Sequence, residues 1–199
     1  MNELIAKKQL ITYIKGKINL SLAEEEVIAT SFQFKHLKKK EYLFKEGDQF
    51  TSTSFVVSGV FRIFHTDSKS LEHILYFGFK DWWVGDMAAV INKEPNGISV
   101  QAMEDSCILY IEDTRMESLY TQVPAVERLF RIITQKTLSV FQKRLFMAYS
   151  ASAKDRFLEL INRHPGIEQL IPQNQIASYL GILPESLSRI KRQLHAVKK

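Results

Sequence analysis

The sequence predicts an α+β protein: helices first, then a β-roll (jelly roll) of short strands, a long helix and a small helical C-terminal region. Apolar residues recur at helical spacing to about residue 40, at strand spacing from 41 to about 112, and at helical spacing again from about Pro124. Turn-prone stretches punctuate the middle region. Many short strands at close spacing favour a roll or sandwich over βαβ units. No strand-like run follows Ala153.

Leu4, Ile5, Leu10, Ile11, Ile14 and Ile18 predict the first helix. Ser21-Leu22-Ala23-Glu24 has the form of a capping box opening a second, carried on by Val27, Ile28 and Phe32. Strands are expected at 42–44, 55–57, 60–65, 74–79, 98–102 and 107–111. Glu46-Gly47-Asp48, Ser58-Gly59, Thr66-Asp67-Ser68 and Glu94-Pro95-Asn96-Gly97 separate them. Val126, Phe130, Ile133, Thr137, Val140, Arg144 or Leu145, and Ala148 then alternate three- and four-residue steps along one helix. That stripe suits a partner helix in a homodimer, or packing on the chain's own β-domain.

Ile171 to Gly181 reads as a short helix, with Pro172 in its first turn and Gly181 free to take the left-handed conformation that ends it. After Ile182 and Leu183, Pro184 and Glu185 open a second helix with Leu187, Ile190 and Leu194 inward. Small Ala177 lets the two helices cross closely, as a helix-turn-helix requires. Ser186, Arg189, Lys191, Arg192 and Gln193 lie mostly on the other face. Net charge is +5, and from Ser150 onward eight basic residues, Lys198 and Lys199 among them, against four acidic ones leave +4. A basic face on such a helix points to a polyanion partner; the alternative is a helical hairpin facing only water.

The single cysteine, Cys107, excludes an intrachain disulfide, a zinc cage of thiolates and a cysteine-ligated iron–sulfur cluster. Its setting reads as a buried strand. The N-terminus lacks a signal-peptide core and no apolar run is long enough to span a bilayer, so a cytoplasmic protein without membrane contact is expected. There is no nucleophile–base set, metal-spaced cluster or phosphate loop, so no enzyme is expected; Asp86 and Glu94 form at most a carboxylate pair of unknown separation.

These pieces, in this order over about residues 20 to 195, resemble the bacterial catabolite activator / fumarate-nitrate regulator (Crp–Fnr) family. Tyr42 to Asp48 resembles the opening strand and turn of the family's cyclic-nucleotide-binding-like roll, Phe55 to Arg62 the next hairpin, and Val84-Gly85-Asp86-Met87 the start of its phosphate-binding cassette. Ile176 to Gly181 and Pro184 to Ile190 resemble its DNA-reading segment. The resemblance implies a sensor roll at 1–123, a dimerisation helix at 124–150 and a helix-turn-helix domain at 151–199, with a hinge near Ser150 to Ala153. It implies a homodimer on a pseudo-palindromic duplex operator, with RNA polymerase as a further partner. Glu185 and Arg189 match the base-reading pair; Ser186 suits a base or phosphate, and Gln173, Lys191 and Arg192 suit the backbone. Pro184 stands where many relatives have another base-reading arginine, so a different half-site is expected. Leu183 replaces a polar N-cap, and the chain ends without the β-hairpin wing of many relatives.

For the sensor, the resemblance gives Gly85, Asp86, Met87, Asn96, Gly97 and Phe141 as ligand-side residues. The cassette's Arg-Ser pair is absent: Glu94 to Ser99 occupies that stretch. Without the arginine a phosphate would be buried with no ionic partner, so cyclic AMP is not expected. No cofactor is expected. His36, His65 and His73 leave haem formally open, and Trp82, Trp83, Phe77 and Phe79 either line an apolar cavity or pack as core. Two alternatives stand beside a ligand-gated regulator: a ligand-independent one with a vestigial pocket, and a sensory module acting through protein partners. An unidentified small-molecule effector remains open.

Overall fold

A computed structural model of the chain describes residues 1–49 and 51–197, with side-chain surroundings through Leu194. Lys198 and Lys199, counted above in the basic balance, lie outside the described residues. The chain forms two compact units, Met1–Thr66 with Leu75–Thr134, and Asp67–Ile74 with Gln135–Lys199. One boundary between the units falls inside the long helix.

The first unit begins with α1 (Glu3–Lys15), capped by the Asn2 side chain, and α2 (Leu22–Ser31), whose Ser21–Glu24 capping box is complete. Among the described residues eight strands follow: β1 (Gln33–Leu37), β2 (Tyr42–Phe44), β3 (Ser52–Ser58), β4 (Phe61–Thr66), β5 (Glu72–Gly78), β6 (Trp83–Val84), β7 (Ser99–Ala102) and β8 (Ser106–Glu112). Helix α3 (Met87–Asn92) lies between β6 and β7, and α4 (Asp113–Gln122) follows β8. Segment 33–37 is therefore a strand, where helical spacing was expected to about 40. It runs antiparallel to the central strand β8, with His36 opposite Cys107; ladder pairing with a buried strand overrides a weak local pattern.

The strands make two four-stranded sheets, ordered β1-β8-β3-β6 and β2-β7-β4-β5. Their facing sides enclose Leu37, Leu43, Phe44, Val56, Phe61, Ile63, Val100 and Ile108. Period-2 alternation sends the neighbours of Val56 and Ile108 (Phe55, Val57, Cys107 and Leu109) to the other face of the first sheet. There they meet Ala6, Leu10 and Ile14 of α1, Ile28 of α2, Met116 and Leu119 of α4, and the start of the long helix. Cys107 is a buried free thiol on β8, as its setting predicted. Trp83 packs with Tyr13, Phe32, Phe55 and Phe130 at ring separations of 4.9 to 6.3 Å, so it is core. Trp82 stands edge-on to Phe79 at 5.6 Å.

Helix α5 (Ala125–Ser150) contributes to both units. Val126 and Leu129 are buried in the first, and Phe130 and Ile133 pack against the same core. The front of the predicted stripe thus serves the chain's own β-domain. From Thr134 to Lys143 every residue is exposed, and Leu138, Phe141, Leu145, Phe146 and Tyr149 remain 42 to 86% exposed. The second unit continues with α6 (Ala153–Arg163), capped by Ser152, then α7 (Ile167–Leu170), α8 (Gln173–Leu180) and α9 (Pro184–Val197). Among the described residues no helix is long and apolar enough to cross a membrane.

Candidate nucleic-acid interface

Helices α8 and α9 are joined by Gly181, Ile182 and Leu183. Gly181 has φ +66°, the left-handed value its position called for, and its amide bonds back to Ala177 and Ser178 carbonyls. Pro172 takes the N-cap position of α8 rather than its first turn. Ala177, Leu187 and Ile176 are at most 2% exposed, and Ile190 is 9% exposed. These residues glue the two helices together, with Ile182 N bonded to Ala177 O at 3.0 Å.

On the outer face of α9, Glu185, Arg189 and Arg192 are exposed and spaced four and three residues apart, so they form one stripe. None of the three has a hydrogen bond or ion pair among the described residues. The other predicted residues are already engaged. Lys191 pairs with Glu168 at 2.7 Å. Gln173 Nε2 donates to Ser188 Oγ at 2.6 Å, tying the start of α8 to α9, and Ser188 Oγ donates to Pro184 O. Ser186 is half-buried.

Two arginines that sequence reasoning did not assign hold the other end of α8. Arg144 Nη2 donates to Tyr179 O at 2.9 Å and its guanidinium lies 4.0 Å from the Tyr179 ring centroid. Arg156 Nη2 donates to Leu180 O at 3.2 Å and Nη1 to Ala151 O at 2.9 Å. Both meet helix-terminal carbonyls, where cations are favoured. Arg144 appeared in the sequence only as a candidate for the long-helix seam, because the acceptor is backbone and no side-chain pattern announces it.

In the first unit, Gly85, Asp86, Asn96 and Gly97 come together, and Asp86 is the centre. Asp86 Oδ1 accepts from Ala88 N and Ala89 N at 3.1 and 3.2 Å, and Oδ2 accepts from Gly97 N at 2.8 Å. The side chain is buried and caps α3. A Cβ on Gly85 would sit 2.8 Å from Ser52 O, so the neighbouring strand itself demands glycine there. Tyr76, hydrogen-bonded to the Gly85 backbone, is pushed up to about 12 by burial. Asn96 Nδ2 donates to Asp48 O. Met87 is 52% exposed, and Phe141 lies in the second unit, 42% exposed beside Leu138 and Leu145. Of the histidines, His73 pairs with Asp67 at 2.8 Å and His65 with Glu46 at 3.3 Å; among the described residues no cluster of three His, Cys, Asp or Glu could hold a metal.

An eight-stranded roll followed by a long helix and this helical pair defines a class of architecture, and comparison with known proteins agrees. The cyclic nucleotide-binding domain family matches residues 34–123. The transcriptional activator protein Anr of Pseudomonas protegens is 27% identical over 165 residues, 77% of this chain and 67% of that protein. The c-di-GMP-responsive global regulator CLP of Xanthomonas campestris superposes with a TM-score of 0.72 at 16% identity, covering 89% of this chain and 93% of the other. The catabolite activator protein of Thermus thermophilus gives 0.58 at 20% identity over 94% and 88%. The chain is thus similar to Crp–Fnr transcription regulators over most of its length, and residues 34–123 match the cyclic nucleotide-binding domain.

Proposed function

We propose that this chain is a homodimeric, sequence-specific DNA-binding transcription regulator working in the bacterial cytoplasm, and that its roll does not take cyclic AMP. One observation carries the first part: Glu185, Arg189 and Arg192 stand exposed in one stripe on a helix anchored from behind by Leu187 and Ile190. On this reading α8 and α9 are a helix-turn-helix and α9 enters the major groove. Glu185 accepts from cytosine N4, and Arg189 grips guanine O6 and N7. Arg192 meets phosphate, Lys191 does so by exchanging Glu168 for it, and Gln173 and Ser186 border the contact. Two such helices related by a two-fold axis read a pseudo-palindromic operator, from which the regulator meets RNA polymerase.

Dimerisation is supported by Leu138, Phe141 and Leu145, exposed at heptad steps of three and four along α5. Phe141 is read here as part of that seam. Against cyclic AMP stands Asp86. Its carboxylate fills the amides a phosphate would seek. A phosphate ~4 Å from it would meet a repulsion of ~4 kcal/mol at an effective dielectric of ~20, with no arginine in the cassette to offset it. The same observation favours a second reading, in which the roll is a ligand-independent scaffold. The effector, if one acts, is a molecule other than a cyclic nucleotide.

The test is selection of a random duplex library on the full chain, followed by fluorescence anisotropy on the enriched sequence. A two-fold-symmetric motif is expected, with binding unchanged by cyclic AMP. Arg189→Ala should lose ~1–3 kcal/mol, about 5- to 150-fold, and relax one base position. Wild-type affinity in R189A would sink the assignment.

A further inference from the structure

The second unit contains a cavity of about 260 Å³ between the C-terminal half of α5, α6 and the end of α8. Lys143, Arg144, Arg156 and Arg163 line it against one carboxylate, Glu159. Those five residues sum to a formal +3. Glu159 Oε1 is shared, 2.7 Å from Lys143 Nζ and 2.9 Å from Arg163 Nη2, and the Lys143 hydrogen bond first of all holds it below the usual carboxylate range. The acceptors described above for Arg144 and Arg156 are neutral main-chain carbonyls. Burial lowers the Arg144 guanidinium from its ordinary value, as befits a cation partly stripped of water.

Helix-end capping accounts for the bonds to Tyr179 O, Leu180 O and Ala151 O. It does not account for Lys143 and Arg163 on the same void, nor for the void. Like charges converging on a concave surface raise the local concentration of anions, and guanidinium forks suit phosphate and carboxylate alike. Met147, Ala148 and Leu160 offer apolar wall for a short carbon body.

We propose that this cavity binds a small anion, a phosphate ester or dicarboxylate of a few carbons, which bridges α5, α6 and α8. The size sets the class: the volume lies below the ~300–1,000 Å³ of pockets for drug-sized ligands, so a cyclic dinucleotide is too large. The site is separate from the roll and from the stripe on α9.

Thermal unfolding of the full chain without DNA tests this independently of the operator reading. The probes are glycerol 3-phosphate, succinate and inorganic phosphate, with sodium chloride as a blank at equal ionic strength. A saturable rise in Tm is expected with glycerol 3-phosphate, succinate or both, and their ratio tells phosphate from carboxylate recognition. Arg156→Gln should abolish the rise. Because that change removes a bond to α8, Ala148→Glu, which places a carboxylate in the cavity from an exposed position, should abolish it too. R189A/R192A should keep it. An equal rise with chloride, no rise with either organic anion, persistence in A148E, or loss in R189A/R192A would each overturn the proposal.

Discussion

Leu145 is 58% exposed on α5. Burying a leucine completely is worth about 1.5–3 kcal/mol, so roughly 1–1.7 kcal/mol is still available to a partner surface. A two-fold interface uses that residue twice, giving about 2–3.5 kcal/mol, or a rise of about 30- to 300-fold in the dimer dissociation constant once the side chain is replaced. Leu145→Glu should reach this range at least, because docking would also desolvate the new carboxylate. The monomer should hardly notice, since a mostly exposed side chain contributes little to its own protomer. Sedimentation velocity over a concentration series measures the constant, and far-UV circular dichroism checks the fold. Lys136→Glu, an exposed change off the Leu138–Leu145 line, serves as the charge control. A dimer of wild-type strength in L145E, or equal weakening by K136E, would refute the seam.

Four further outcomes follow from the same structure. Gly181→Val, forcing φ +66° on a branched residue, should cost at least ~1–2 kcal/mol by urea denaturation, while Gly181→Asn should lose little. Asp86→Ala removes a helix cap and the acceptor for Gly97 N; it should cost at least ~0.5–2 kcal/mol for the cap alone, and Asp86→Asn should recover part. Leu187→Ala, at 0% exposure, should cost ~2–5 kcal/mol and lower the Tm. His164 is depressed below 6.5 by burial first and then by Arg163, so its stabilising contribution is complete above pH 6.5 and is lost as pH falls through that value toward the folded one. The Tm of the wild type should therefore drop more between about pH 7.5 and 5.5 than that of His164→Gln, and equal drops would count against it.

Most of the fold was legible because it is written in local chemistry. Ser21 and Glu24 cap α2 as their spacing says, β2 spans the three residues read for it, and Gly181 is left-handed where the helix had to stop. What was illegible depends on contacts far apart in sequence. Segment 33–37 is a strand because β8 lies beside it, 70 residues on. Helix α4 was missed because Met116 and Leu119, its two buried residues, are too few to show a period. The spacing on α5 does mark a helix, but its apolar face is not uniform. Val126 and Leu129 belong to the chain's own core, whereas Leu138 and Leu145 do not. The single stripe read from the sequence mixes two jobs, because its Val126, Phe130 and Ile133 serve that core whereas its Thr137, Val140, Leu145 and Ala148 are exposed. Glu185 and Arg189 were singled out in the sequence and stand exposed on one stripe, while Arg144 and Arg156 were not singled out, because backbone carbonyls leave no mark in a sequence.

Four arginines of the second unit show how surroundings rather than residue type assign the work. Arg189 and Arg192 face open water, where an isolated guanidinium is worth little until phosphate or guanine arrives. Arg144 and Arg156 are half-buried and hold the Tyr179 and Leu180 carbonyls, so they position α8 and, through the turn at Gly181, the start of α9. An anion in the neighbouring cavity competes for or reinforces those same bonds. Its binding and the placement of α8 are therefore linked. By reciprocity, any factor by which the anion changes operator affinity must equal the factor by which operator DNA changes anion affinity. Titrating each ligand in the presence of the other measures the two factors separately. Unequal factors would mean that the anion acts at a second place, most simply on the exposed stripe of α9.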